Sequence, residues 1–347
     1  MKATLLTLSS ACFLAGAFNV RGAELLLEFT FDDSSPTTEV TERSLWDWPL
    51  GFQSQEGAPA DWHGALGSGV SGQPADRAFD NSAATGMGSG ESGGRALGHP
   101  QDTELLDSLT LSGWFRTVDR VIGSFGRLFF WDGPQQVYAY PDNSLDFAAG
   151  NNRSVHSDAA YTEIGTWVFF AVTFDGTQSS NNVKFWKGTR TNAVHLVSTH
   201  SLAAGPFDPA YQRFAIGNSY HNSSPTQPFD GWLDNFRMHG GQGANGVLNQ
   251  QELEDLRAQD IAGTLPAIRI RVDLESVLDP GPPFGLTFGW WSIAGYDYQL
   301  EGSSSLTTWE DVAAIATSGD GTRHERTLTP LPDTLRFYRL RVTPTPP

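Results

Sequence analysis

The sequence predicts an exported, all-β chain of two domains. Three observations carry this reading: short apolar stretches alternate with polar residues, 37 Gly and 20 Pro are available to turn the chain between them, and there is a single cysteine. Charged residues make up only 18% of the chain, a profile that suits short strands joined by turns better than long helices.

The chain opens with Met1 and Lys2, followed by an apolar run from Leu5 to Phe18. A cation before an apolar run too short to span a bilayer predicts a signal peptide over residues 1–23. Cleavage fits after Ala17 or after Gly22. Lipidation at Cys12 is the rival, but its small-residue box follows too few apolar residues. No later segment offers about eighteen consecutive apolar residues, so membrane insertion is not expected and the mature chain is assigned to the secreted or cell-envelope compartment. Cys12 leaves with the signal, so the mature protein folds without disulfides and must rely on a buried core, which its length allows.

Lys and Arg number 22 against 39 Asp and Glu, a formal charge of −17. Such a surface repels phosphate backbones and anionic headgroups, which makes nucleic acid and membrane surfaces poor partners. Solubility outside the cell accounts for the excess, and attraction of cations is the alternative.

The strands follow in order. Leu25, Leu27, Phe29 and Phe31 alternate with polar residues in the first mature segment. Residues 49–100 are rich in Gly, Ser and Ala without a clear period and are expected to be long loops carrying one or two short strands. Leu109–Phe115 and Arg127–Trp131 come next. Trp167–Phe174 is apolar on both faces, as a central strand covered on each side would be. Asp175-Gly176 turns the chain into Val183–Gly188, and Phe214–Gly217 and Trp232–Met238 complete the set. One helix is expected, with Asn249 as its cap, Glu252 reaching back as a capping box, and Leu253 and Leu256 as its apolar edge.

A boundary at residues 262–266 divides a first domain, 24–262, from a second, 267–347. Beyond it Ile268, Ile270, Val272 and Leu274 alternate with charged residues, and four more strand-like segments follow. About 80 residues with this pattern suggest a small β-sandwich of the fibronectin III kind.

The order of the first domain's pieces resembles the laminin-G-like jellyroll family, within the concanavalin A-like lectin and glucanase superfamily. The likeness rests on Leu109–Phe115, Gly165–Gly176, Phe214–Gly217, Phe229–Met238 and the helix from Asn249, and it covers residues 24–262. The region before Leu109 departs from the family pattern. The resemblance implies a two-sheet jellyroll sandwich with its first and last strands as neighbours. The tail, through Tyr298–Glu301, Leu306–Trp309 and Phe337–Val342, resembles small C-terminal β-domains of secreted bacterial proteins.

Catalytic motifs do not hold up. Gly67–Gly72 and Gly88–Gly93 match a dinucleotide fingerprint by letters but lack the preceding strand and following helix that chemistry needs. Gly90–Gly94 fits a nucleophile elbow only in spelling. Jellyroll glycosidases place carboxylates on alternate positions of one strand so that acid and nucleophile flank the scissile bond. No strand here shows that pattern, so a polysaccharide hydrolase is a minor alternative. None of the eight histidines forms a zinc-type pair. The expectation is a non-catalytic protein that recognises carbohydrate or another extracellular polymer through jellyroll loops, with an adhesive spacer as the alternative.

Trp46, Trp48 and Trp62, with His63, are the ligand candidates. Flat aromatic faces stack on sugar rings, and Asp47 and Asp61 can take hydroxyl hydrogen bonds. The same tryptophans equally suit a cap on the sandwich core. By alternation Trp232, Asp234, Phe236 and Met238 share one face, so Asp234 is expected to be buried and in need of compensation. Backbone N–H groups would serve. So would a structural calcium ion held with Asp32 and Asp33 at the end of the first strand.

Overall fold

The computed structural model describes residues 23–33, 35–40, 42, 50–54, 58–82, 93–98, 105–118, 126–131, 135–140, 142–150, 153–208, 213–219, 227–263, 275–279, 285–291, 296–304, 309–318, 323–328 and 337–344. Strands dominate it. The first five are β1 (Glu24–Phe29), β2 (Glu39–Val40), β3 (Leu50–Gln53), β4 (Phe79–Asp80) and β5 (Arg95–Gly98). Then come β6 (Ser108–Thr117), β7 (Gly126–Trp131), β8 (Gln135–Ala139), β9 (Leu145–Gly150) and β10 (Arg153–His156). β2 and β8 to β10 are not among the strands that the sequence predicts. β11 (Val168–Asp175), β12 (Val183–Thr189), β13 (His195–His200), β14 (Phe214–Ile216) and β15 (Gly231–Gly241) precede the helix α1 (Gln250–Ala262).

These strands build two antiparallel sheets. One runs β1-β15-β6-β11-β12-β13 with β4 added to β15, and the other runs β10-β9-β8-β7-β14-β5-β3-β2. The first strand is thus neighbour to the last, with Glu28 opposite Arg237 and Phe29 opposite Phe236. Between the sheets lies one large core to which both contribute: Phe29, Phe115, Phe170 and Phe236 face Phe52, Phe129, Trp131 and Phe214. β11 is buried at every position, because its second face is also covered. That cover is α1, whose Leu253 joins Trp114, Trp167, Phe169 and Trp186 in a second core outside the first sheet.

The helix forms where its caps dictate. The Asn249 side chain accepts hydrogen bonds from the amides of Gln251 and Glu252, and Glu252 accepts from the Asn249 amide. The left-handed conformation of Gly263 (φ 64°) ends it. A buried ionic cluster ties the helix to the sheet. Arg237 donates through Nη1 and Nη2 to the two oxygens of Asp260 at 2.9 and 2.7 Å and through Nε to Glu28 at 2.6 Å. The Trp114 indole donates to Asp260 at 2.7 Å.

The expectation that Asp234 shares a face with Phe236 and Met238 is corrected by a bulge. On β6, Trp114 and Ser112 pair with Asp234 and Arg237, so β15 carries one extra residue between them. Asn235 absorbs it at φ 49°, a left-handed value that asparagine tolerates better than most residues. Leu233, Phe236 and Met238 therefore enter the inter-sheet core, and Trp232 packs with the second.

After α1 the chain forms β16 (Glu275–Asp279), β17 (Gly285–Trp291), β18 (Tyr296–Ser303), β19 (Glu310–Ser318), β20 (Arg323–Leu328) and β21 (Phe337–Pro344). They make two three-stranded antiparallel sheets, β16-β17-β20 and β19-β18-β21. Two such sheets are the small sandwich expected from the sequence, and the chain as a whole is all-β. The alternating segment from Ile268 to Leu274 lies outside the described residues.

Candidate functional site: a polar strip on the eight-stranded sheet

Alternation sets one face of β8, β9 and β10 outward. Val137, Ala139, Leu145, Phe147 and Ala149 enter the core, and Val155 packs against it. Gln136, Tyr138, Asp146, Ser154 and His156 fall on the opposite face. Register then aligns four of the outward residues into a row, because Arg127 pairs with Tyr138, Tyr138 with Asp146, and Asp146 with His156. At the usual interstrand spacing this row is about 14 Å long. Tyr140, two residues beyond Tyr138, lies beside it.

The side chains touch along the row. The Arg127 guanidinium carbon lies 4.3 Å from the centre of the Tyr138 ring. Tyr138 and Tyr140 are 5.1 Å apart, and Tyr140 meets His156 edge-on at 4.9 Å. His156 places Nε2 3.4 Å from Asp146 Oδ2; the imidazole is 54% exposed and the carboxylate only 1%. Asp146 Oδ1 is buried and, among the described residues, has no hydrogen-bond partner. Burial pushes the Asp146 carboxyl up to about 6, although His156, the Tyr138 hydroxyl and Arg127 each pull it down. Burial, followed by the Asp146 charge, raises the Tyr138 hydroxyl, and burial lowers Arg127. A half-exposed line of rings over a costly carboxylate can stack on a sugar and hydrogen-bond its hydroxyls.

Of the loop site predicted from sequence, Asp61, Trp62 and His63 are among the described residues. Trp62 packs against the inter-sheet core, seated so closely on Gly94 that a Cβ there would fall 2.4 Å from its indole. His63 turns its ring edge to Phe52 at 4.7 Å. Its Nδ1 lies 2.8 Å from Asp61 and its Nε2 3.6 Å from Asp33. Ser35 donates to the other oxygen of Asp61 at 2.6 Å. Because the hydroxyl bonds the carboxylate rather than the imidazole, these residues clasp two loops together and do not form a nucleophile with its base. Burial alone would lower the His63 imidazole, but Asp33 and Asp61 outweigh it and hold the group above its ordinary value. Trp46 and Trp48 lie outside the described residues.

Asp234 is completely buried. Its Oδ2 accepts the Val70 amide at 2.7 Å and its Oδ1 the Asn235 amide at 2.8 Å. Burial raises its carboxyl well above the usual range, and the charges of Asp76 and Asp32 raise it further. Asp32 accepts the Arg77 amide at 3.0 Å, and Asp76 accepts the Ser71 amide at 2.6 Å together with the Ser71 hydroxyl. A Cβ on Gly69 would fall 1.9 Å from Asp76, so only glycine fits beside this acid. Of the expected set, Asp32 and Asp234 are brought near one another, whereas Asp33 turns to His63. Asp76 was not foreseen. Oxygen donors of this kind suit calcium, yet among the described residues no three acidic, histidine or cysteine side chains converge as a metal site.

No family model matches the chain, and no curated protein matches it. Among solved structures it is similar to domain 4 of AbnA, an extracellular arabinanase from Geobacillus stearothermophilus in complex with arabinotriose. The identity is 14%, the match covers 68% of this chain and 99% of that one, and the TM-score is 0.45. The binding domain of botulinum neurotoxin DC in complex with SialylT is 10% identical over 80% of this chain and 57% of that one, with a TM-score of 0.40. A Trypanosoma rangeli sialidase is 14% identical over 70% of this chain and 33% of its own, with a TM-score of 0.42. Likenesses this slight say nothing of activity.

Proposed function

We propose that this chain is a secreted, non-catalytic binding protein that holds carbohydrate, or another hydroxyl-rich extracellular polymer, on the strip of Arg127, Tyr138, Tyr140, Asp146 and His156. The observation that carries the reading is the cross-strand row itself. It gathers two tyrosine rings, an exposed imidazole and a guanidinium over a buried carboxylate, one oxygen of which has no partner among the described residues. Buried polar atoms normally find partners, and strongly perturbed carboxyls such as Asp146 cluster at functional sites. A retaining glycosidase needs two carboxylates about 5 Å apart, and this row holds one. That supports binding without turnover. The test is a glycan array probed with the exported chain and with Tyr138→Ala and Tyr140→Ala. Loss of one stacking ring should weaken binding roughly tenfold, with no glycan cleaved. Wild-type binding that both substitutions leave intact would overturn the assignment, and release of reducing ends would overturn its non-catalytic part.

The calcium expected at Asp32, Asp33 and Asp234 becomes a narrower proposal: a structural ion at Asp234 with one acidic neighbour, Asp32 or Asp76, and backbone carbonyls. Mutual repulsion of these carboxylates is the support for it.

A further inference from the structure

Resting on that reading of the strip, we infer that Asp146 is its specificity determinant and restricts the site to uncharged glycans. Charges are closed within the row. His156 and Arg127 are its two basic side chains, and both answer to this one carboxylate: His156 Nε2 lies 3.4 Å from Asp146 Oδ2, and Arg127 sits over Tyr138, which bonds Asp146. With histidine counted neutral, as in the chain's formal charge, Arg127 and Asp146 cancel, so a uronate, sulfate or sialate would meet no net positive charge there. It would instead bring a second negative charge beside Asp146, on a chain already at −17. An uncharged sugar avoids that repulsion and stacks on Tyr138 and Tyr140 above the buried carboxylate.

Replacing Asp146 by asparagine keeps the shape and removes one negative charge, so the row becomes more positive beside Arg127. Asp146 acts here as a positioning residue beneath the contact surface, and its signature is a change of selectivity that a merely structural role would not produce. The experiment sets the exported wild-type chain, Asp146→Asn and Tyr138→Ala on one array of uncharged, uronate-bearing, sulfated and sialylated glycans at low and at physiological salt. The wild type should favour uncharged over acidic glycans about fivefold or more, and Asp146→Asn should shrink that ratio about fivefold, more strongly at low salt. Equal binding of both classes by the wild type would overturn the inference. So would an unchanged ratio in Asp146→Asn when Tyr138→Ala abolishes binding, a result that leaves the strip itself in place. Absence of any glycan binding, or indifference to Tyr138→Ala, would sink the strip and the inference together.

Discussion

A carboxylate that function retains against stability should reveal itself when it is neutralised. Asp146 is nearly inaccessible, and its carboxyl rises from 3.8 to about 6. The folded protein therefore holds this proton more tightly than the unfolded chain, so stability falls as pH rises from about 4 to about 6 and stays lower above that. At about 1.4 kcal/mol per pH unit the penalty at neutral pH is roughly 3 kcal/mol, an upper figure because it assumes an unstructured reference state. Asparagine is nearly isosteric and cannot carry the charge. Asp146→Asn should thus be stabilised at pH 7.5 by up to roughly 3 kcal/mol and lie close to the wild type near pH 3.5. Urea unfolding of both proteins at the two pH values measures this directly. A variant less stable than the wild type at pH 7.5 would refute the reasoning, because it would mean that the ionised carboxylate is a net structural contributor.

Three further outcomes follow from the same geometry. His63 is held above its ordinary value, so its contribution to stability is fully present below about pH 6.5 and is lost as pH rises through the higher folded value; melting of His63→Gln should differ from wild type at pH 5 and converge with it by pH 9. Asp260→Ala strips the buried Arg237 of its bidentate partner and Trp114 of its acceptor, a loss of about 3–5 kcal/mol; chemical denaturation should show it, and an unchanged midpoint would mean that α1 is not anchored there. The calcium proposal predicts a lower melting temperature in EDTA, restored by added calcium, with Asp234→Asn insensitive to both; identical responses of the two proteins would end it.

Much of the frame was legible in the sequence, because it rests on local rules. The alternation around Phe29, the doubly apolar run through Phe170 and the Asn249–Glu252 box each specify an element without reference to the rest of the chain. What was hidden depends on register and long-range placement. Period-two reasoning put Asp234 on the face of Phe236, and a single left-handed residue, Asn235, moved it off. Asp76 joins Asp234 through a loop 158 residues away in sequence, which no periodicity reports. The strip had a faint local signal in Val137 and Ala139 set against Gln136 and Tyr138, and in Asp146 set between Leu145 and Phe147. Its chemistry exists only once four strands pair in register. Trp62 was legible as a large aromatic in a loop, but the closeness of Gly94, which seats it against the core, was not.

The strip and the Trp62–His63 loop lie on different elements, so mapping a bound glycan distinguishes them. Methyl and amide NMR shifts should be followed while the exported chain is titrated with the glycan that binds most tightly on the array. The account predicts that the perturbed signals gather on β8, β9 and β10, around Tyr138, Asp146 and His156. Perturbations centred instead on Asp33, Asp61, Trp62 and His63, with β8 to β10 silent, would contradict it.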